Sequence, residues 1–157
     1  MTQVETMMQE WLRHRNVLEK VLMTLKDADM TFKPWEGAMT LGQLPVHIAY
    51  WSRAFVTLVK VGDAEFSQLI AAEPKGNSYR TFDDVYQTVQ AWTEETKAAY
   101  AALSDEDLEV ENQSKIPNFN GPRKMFLTLM HDHEVHHKGQ LFVYARMVGV
   151  QELPFFC

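Results

Sequence analysis

Sulfur chemistry is almost missing from this chain, whose 157 residues include a single cysteine, Cys157, at the last position. An intramolecular disulfide and a cysteine-anchored zinc finger are thereby excluded, and a reducing compartment, the cytoplasm, is the expected home. No apolar stretch approaches the ~18 residues of a membrane span. The opening residues, MTQVETMMQE, show no basic segment running into an apolar one, so no secretory leader is expected. Basic residues number 15 against 21 acidic ones, and the net charge of −6 is scattered. That balance offers no electrostatic footprint for nucleic acid or an anionic membrane, and neither is an expected partner. Repeats, low-complexity segments and strand-like alternation are absent as well. What remains is 46% hydrophobic and 23% charged, the composition of an ordinary globular protein, with residues 1–157 forming one domain's length.

Helical periodicity fills that length. Thr2 with Glu5 has the spacing of a capping box. Behind it Val4, Met7, Met8, Trp11, Leu18, Val21, Leu22 and Leu25 recur at three and four, until Asp27, Asp29 and Lys33–Gly37 end the pattern. Thr40 with Gln43 opens a second stripe through Leu41, Leu44, Trp51, Phe55, Leu58 and Val59, its regular part starting or bending near Pro45. A long connection from Gly62 to Arg80 holds a short helical piece at 65–72 and a breaker at Pro74–Asn77. Thr81 with Asp84 opens a third helix, which runs to Leu103. A polar loop, Ser104–Gly121, leads to Asn120-Gly121-Pro122, which should start the fourth helix, ending near Val148-Gly149. The apolar tail Leu153–Cys157 should pack on the body or on a partner. The fold class expected is all-α, a four-helix bundle.

Four of the six histidines crowd into His131-Asp132-His133-Glu134-Val135-His136-His137 on that fourth helix. Its apolar stripe is Phe126, Leu129, Met130, Leu141, Tyr144 and Val148. His133, His137 and Gln140 fall on the stripe, whereas His131 and His136 fall on its flanks and read as solvated. Residues four apart stand one above the other on a helix, so His133 and His137 can share an ion. His47 lies on the stripe of the second helix, one turn after Leu44, and supplies a third imidazole if those helices face each other. His14 reads as a core-edge residue outside this group. Three neutral imidazoles suit Zn²⁺ or Ni²⁺ best, then Fe²⁺, Mn²⁺ or Co²⁺, and three protein ligands leave a position open. The string His133-Glu134-Val135-His136-His137 also spells the zinc-protease motif H-E-x-x-H. With only a short tail beyond it and no strand to hold an extended peptide, that reading is set aside.

These residues resemble the DinB/YfiT superfamily. The resemblance is carried by Leu44-Pro45-Val46-His47-Ile48-Ala49 together with His133-Glu134-Val135-His136-His137-Lys138-Gly139-Gln140-Leu141, and it extends over the whole chain. The doubled histidine and Gly139-Gln140 are similar to the DinB branch. The resemblance implies an up-down-down-up bundle, often a homodimer, with a divalent metal held by His47, His133 and His137. It implies, further, kinship with stress-response proteins and with transferases that use bacillithiol or mycothiol. The expected partners are therefore a low-molecular-weight thiol and a small electrophile. A non-catalytic metal-binding bundle and a metal-dependent hydrolase are the alternatives, and no residue is assigned as catalytic. Gln140 is a candidate to support a ligating ring from behind or to line the pocket, and Trp51 is a candidate pocket wall. Lys138 departs from the family's arginine and would support a bidentate ion pair less well.

Overall fold

A threonine hydroxyl accepts from a backbone amide at the start of three of the four long helices. The Thr2 Oγ1 accepts from the Glu5 amide at 3.1 Å while the Glu5 carboxylate accepts from the Thr2 amide at 2.7 Å. Thr40 and Gln43 form the same reciprocal pair, at 3.0 and 3.1 Å, and Thr81 accepts from the Asp84 amide at 3.1 Å. Each such cap stabilises its helix by about 1 kcal/mol. The computed structural model describes residues 1–75 and 78–157. Its elements are α1 (Gln3–Met23), α2 (Gln43–Val61), α3 (Phe66–Ala72), α4 (Phe82–Ala101), α5 (Asp105–Glu109), β1 (Glu111–Asn112), a 3₁₀ turn (Pro117–Phe119), β2 (Gly121–Pro122) and α6 (Lys124–Met147). Pro45 lies in the first turn of α2, where backbone amides have no intrahelical acceptor to lose, so the helix is not interrupted.

Two apolar clusters set the direction of each long helix. One gathers the end of α1 (Val17–Leu22), the start of α2 (Leu44–Ala49), the start of α4 (Val85, Val89) and the end of α6 (Leu141–Ala145). The other gathers Val4 and Trp11 of α1, Val56–Val59 of α2, Tyr100 of α4 and Phe126–Met130 of α6. Thus α1 and α6 run one way and α2 and α4 the other, the up-down-down-up order. Both α1 and α2 pack against α4 and α6. Consecutive α2 and α4 are parallel, so the segment between them must travel back along the bundle. Gly62 starts that return at φ +76, a conformation costly for any residue with a Cβ, and its Cβ would meet Arg123 Nη2 at 2.8 Å.

Between the clusters lies a polar layer. The Arg15 guanidinium donates to Glu134 through Nε (2.8 Å) and Nη2 (2.7 Å), to Ser52 Oγ (2.9 Å) and to Thr93 Oγ1 (2.7 Å). Trp11 Nε1 donates to the same carboxylate at 3.0 Å. One network therefore joins α1, α2, α4 and α6, and its charged members are 0% and 1% exposed.

The connections differ from expectation in three places. The polar loop contains α5, opened by a Ser104–Asp107 capping box. It also contains a two-residue antiparallel pairing of β1 with β2. That pairing uses Gly121 and Pro122, so the last helix starts at Lys124 rather than at Asn120–Pro122. The break read at Pro74–Asn77 falls partly on residues 76 and 77, outside the described residues. In the tail, Leu153 packs on the first cluster whereas Phe155 and Phe156 are exposed. No described helix is long and apolar enough to cross a membrane.

Candidate metal centre

Antiparallel packing of α2 on α6 brings His47, near the start of α2, against the middle of α6. His47 Nε2 stands 3.0 Å from His133 Nε2 and 3.2 Å from His137 Nε2. Among the described residues this trio is the group of histidine, cysteine and carboxylate side chains whose donor atoms could hold a metal ion, all within 4.8 Å of one another.

The far side of two rings decides what the near side can do. His47 Nδ1 meets the Glu73 carboxylate, which only accepts, so that nitrogen carries the proton. His137 Nδ1 lies 2.7 Å from Gln140 Oε1, another acceptor. Both rings therefore turn bare Nε2 lone pairs inward, 3.2 Å apart, an arrangement that is repulsive until a cation lies between them. A tetrahedral zinc site with Zn–N bonds of ~2.0–2.1 Å spaces its nitrogens about 3.3–3.4 Å apart, and the two distances from His47, 3.0 and 3.2 Å, lie close to that spacing. Burial, then the neighbouring His137 and His47 rings, pushes His133 down to about 3. Burial also holds His137 below its ordinary value, although Gln140 opposes this. Neutral imidazole is the form that ligates a metal.

Glu73 is the residue that periodicity could not find. It follows α3 on the return segment, which the parallel α2–α4 pair obliges to pass the start of α2. Its second oxygen accepts from Trp51 Nε1 at 3.0 Å, so Trp51, 7% exposed, both packs among Tyr50, Phe55 and Phe66 and anchors the carboxylate. Glu73→Gln is expected to weaken zinc binding about 10- to 100-fold, as loss of a carboxylate behind a ligating histidine does elsewhere. A competition titration against a chromophoric chelator measures this, and an unchanged affinity would show the contact to be incidental. A cavity of about 220 Å³ lined by Met39, Gln43, His47, Glu73, Pro74 and Lys75 opens onto His47.

The remaining candidates lie elsewhere. His136 is exposed, and His131 packs edge-on to His14 with ring centroids 5.0 Å apart. His14 is buried on α1, away from the trio, beside Lys138 Nζ at 2.8 Å. Among the described residues Lys138 makes no carboxylate pair; its other partner is the Phe156 carbonyl. Glu134, the would-be protease base, turns towards α1, with Oε1 accepting from Trp11 and Arg15 and Oε2 from Arg15. At 1% exposure and with both oxygens engaged, it has no access to the three histidines.

Known proteins share this plan. A solved DinB-like protein of Bacillus subtilis, YjoA, superposes with a TM-score of 0.79 at 28% identity, covering 96% of this chain and 97% of that one. A DinB-like protein of Bacillus cereus ATCC 10987 has the same fold, with a TM-score of 0.71 at 20% identity, covering 96% and 95% of the two chains. In sequence, the uncharacterised YjoA of Bacillus subtilis strain 168 is 30% identical over 159 residues, covering 99% of this chain and 97% of its own. The DinB family model matches residues 1–156. With its bundle order, its histidine trio and its end-to-end match in agreement, the chain belongs to the DinB family.

Proposed function

We propose that this protein is a divalent-metal-dependent transferase joining a low-molecular-weight thiol to a small electrophile, with His47, His133 and His137 as the metal ligands. The observation that carries the reading is the pair of Nε2 lone pairs held inward by Glu73 and Gln140, beside a cavity that opens on His47. A zinc or nickel ion bound there supplies Lewis acidity, lowering the pKa of a thiol that reaches it. The protein's part is positional. Glu73 and Gln140 fix the tautomers and ring planes of His47 and His137. Phe55, its ring 6.2 Å from that of His133, limits the approach of water from the inner side. Met39, Gln43 and Lys75 line the open side, where the two reactants enter. In the reaction the sulfur loses its proton to solvent and bonds to the electrophilic carbon, whose leaving group departs with the bonding pair.

The test is turnover of bacillithiol, and of cysteine in parallel, with 1-chloro-2,4-dinitrobenzene on zinc- and nickel-loaded protein. At least a tenfold rate over background is expected, absent from the metal-free protein and from His137→Ala. Tight metal binding with no turnover for any thiol tried would favour the non-catalytic bundle instead. Turnover that survives metal removal would overturn the assignment.

A further inference from the structure

A second cavity, of about 520 Å³, lies on the other side of α6, between that helix, α1 and the tail. This volume is in the range of small-molecule sites. Its walls are apolar, chiefly Phe142, Phe155 and Phe156, and its polar groups are His14, Lys138 and Arg146. A chain of net charge −6 thus lines one cavity with basic side chains and no carboxylate. Lys138 is only 3% exposed, yet neither it nor Arg146 forms an ion pair among the described residues. Lys138 Nζ meets the ring nitrogen of His14 and the Phe156 carbonyl, while the groups of opposite sign that act on it, Cys157 and Glu134, lie beyond ion-pair distance. Lysines buried to this extent are ordinarily paired.

The floor of the cavity adds an independent sign. Gly139 sits in the interior of α6, where glycine costs the helix about 1 kcal/mol relative to alanine. Among the described residues nothing lies within 4 Å of the position a Cβ would take, so none of them requires the glycine. What the missing side chain leaves is room.

We propose that this cavity binds a small organic carboxylate, its anionic end paired with Lys138 and its aliphatic or aromatic body lying over Gly139 against Phe142 and the Phe155–Phe156 tail. Arg146, whose guanidinium lies 5.7 Å over the Phe142 ring, adds a second cation at the rim. Successive residues of a helix project about 100° apart. His137 faces α2 while Lys138 faces α1, so the site is separate from the histidine trio.

Calorimetric titration of the full chain with octanoate tests this, with octan-1-ol as the uncharged counterpart, in both metal-free and zinc-loaded protein. The expected result is saturable octanoate binding, at least tenfold tighter than octan-1-ol and equal in the two metal states. Lys138→Met should weaken it at least tenfold and Lys138→Arg should retain it. Because Lys138→Met could fail to fold, Gly139→Leu provides the second arm: it fills the cavity from an exposed helix position and should abolish binding while zinc uptake stays at the parental level. No octanoate binding, equal affinity for the alcohol, binding that requires zinc, or binding unchanged in Gly139→Leu would each overturn the proposal. So would a dimer, seen by sedimentation, that excludes octanoate as protein concentration rises.

Discussion

Truncating Glu134 to alanine is expected to lower the unfolding free energy by about 3–5 kcal/mol, out of a total of ~5–15 kcal/mol for a protein of this kind. The loss comes from what stays behind. Arg15, 0% exposed, keeps a charge whose anionic partner in the network has gone, and Trp11 Nε1 loses its acceptor. Ser52 and Thr93 satisfy two guanidinium N–H groups but neutralise nothing. Replacing both charges, as in Arg15→Met with Glu134→Leu, should recover most of the loss, because an apolar pair of similar volume removes the desolvation penalty along with the attraction. Urea unfolding followed by circular dichroism measures both. A single-variant loss below about 1 kcal/mol would mean that the polar layer tolerates an unpaired cation.

Alanine at His137 is expected to weaken zinc binding by at least a hundredfold, and alanine at His47 to do the same from the other helix. Parent protein purified without chelators should carry close to one equivalent of a transition metal by mass spectrometry, lost from both variants. Ligand linkage turns this into a stability change. At zinc concentrations ~1,000-fold above Kd the parent gains about 4 kcal/mol, a rise of roughly 8–16 °C in melting temperature for a chain of this length. A variant weakened a hundredfold would keep only about 1.4 kcal/mol of that gain, a rise of roughly 3–6 °C, and a weaker one less. The full zinc-dependent rise retained in both variants would place the metal elsewhere.

The three histidines were legible because helical spacing alone puts His133 and His137 on the apolar stripe of α6 and His47 on that of α2. Bundle order came with the family resemblance. Arg15 and Glu134 were not legible, since periodicity treats charge as an outward signal. Yet Arg15 follows Trp11 by four residues and precedes Leu18 by three, so the stripe passes straight through it. Glu73 carried no local sign at all: its place beside His47 follows from the path of the return segment, a property of the assembled bundle. The capping box of α5, Ser104 with Asp107, was in plain view inside a segment read as loop, masked by its length of one turn and a half. Lys138 was weighed as half of an ion pair, and its neighbours turned out to be an imidazole and a carbonyl.

The spacing of the histidine trio along the chain has a consequence for how the fold is held. His47 lies 86 residues from His133 and 90 from His137. An ion shared by them closes a loop through more than half of the polypeptide, and closing a loop of that length removes more freedom from the unfolded ensemble than closing a short one. A disulfide linking the same two helices would act by that entropy, and a chain with one cysteine cannot form it. A metal held by the trio would supply a reversible substitute, a clasp that could engage only after the last helix has docked on the second. Metal supply would then govern how long the bundle stays closed as well as what it can bind.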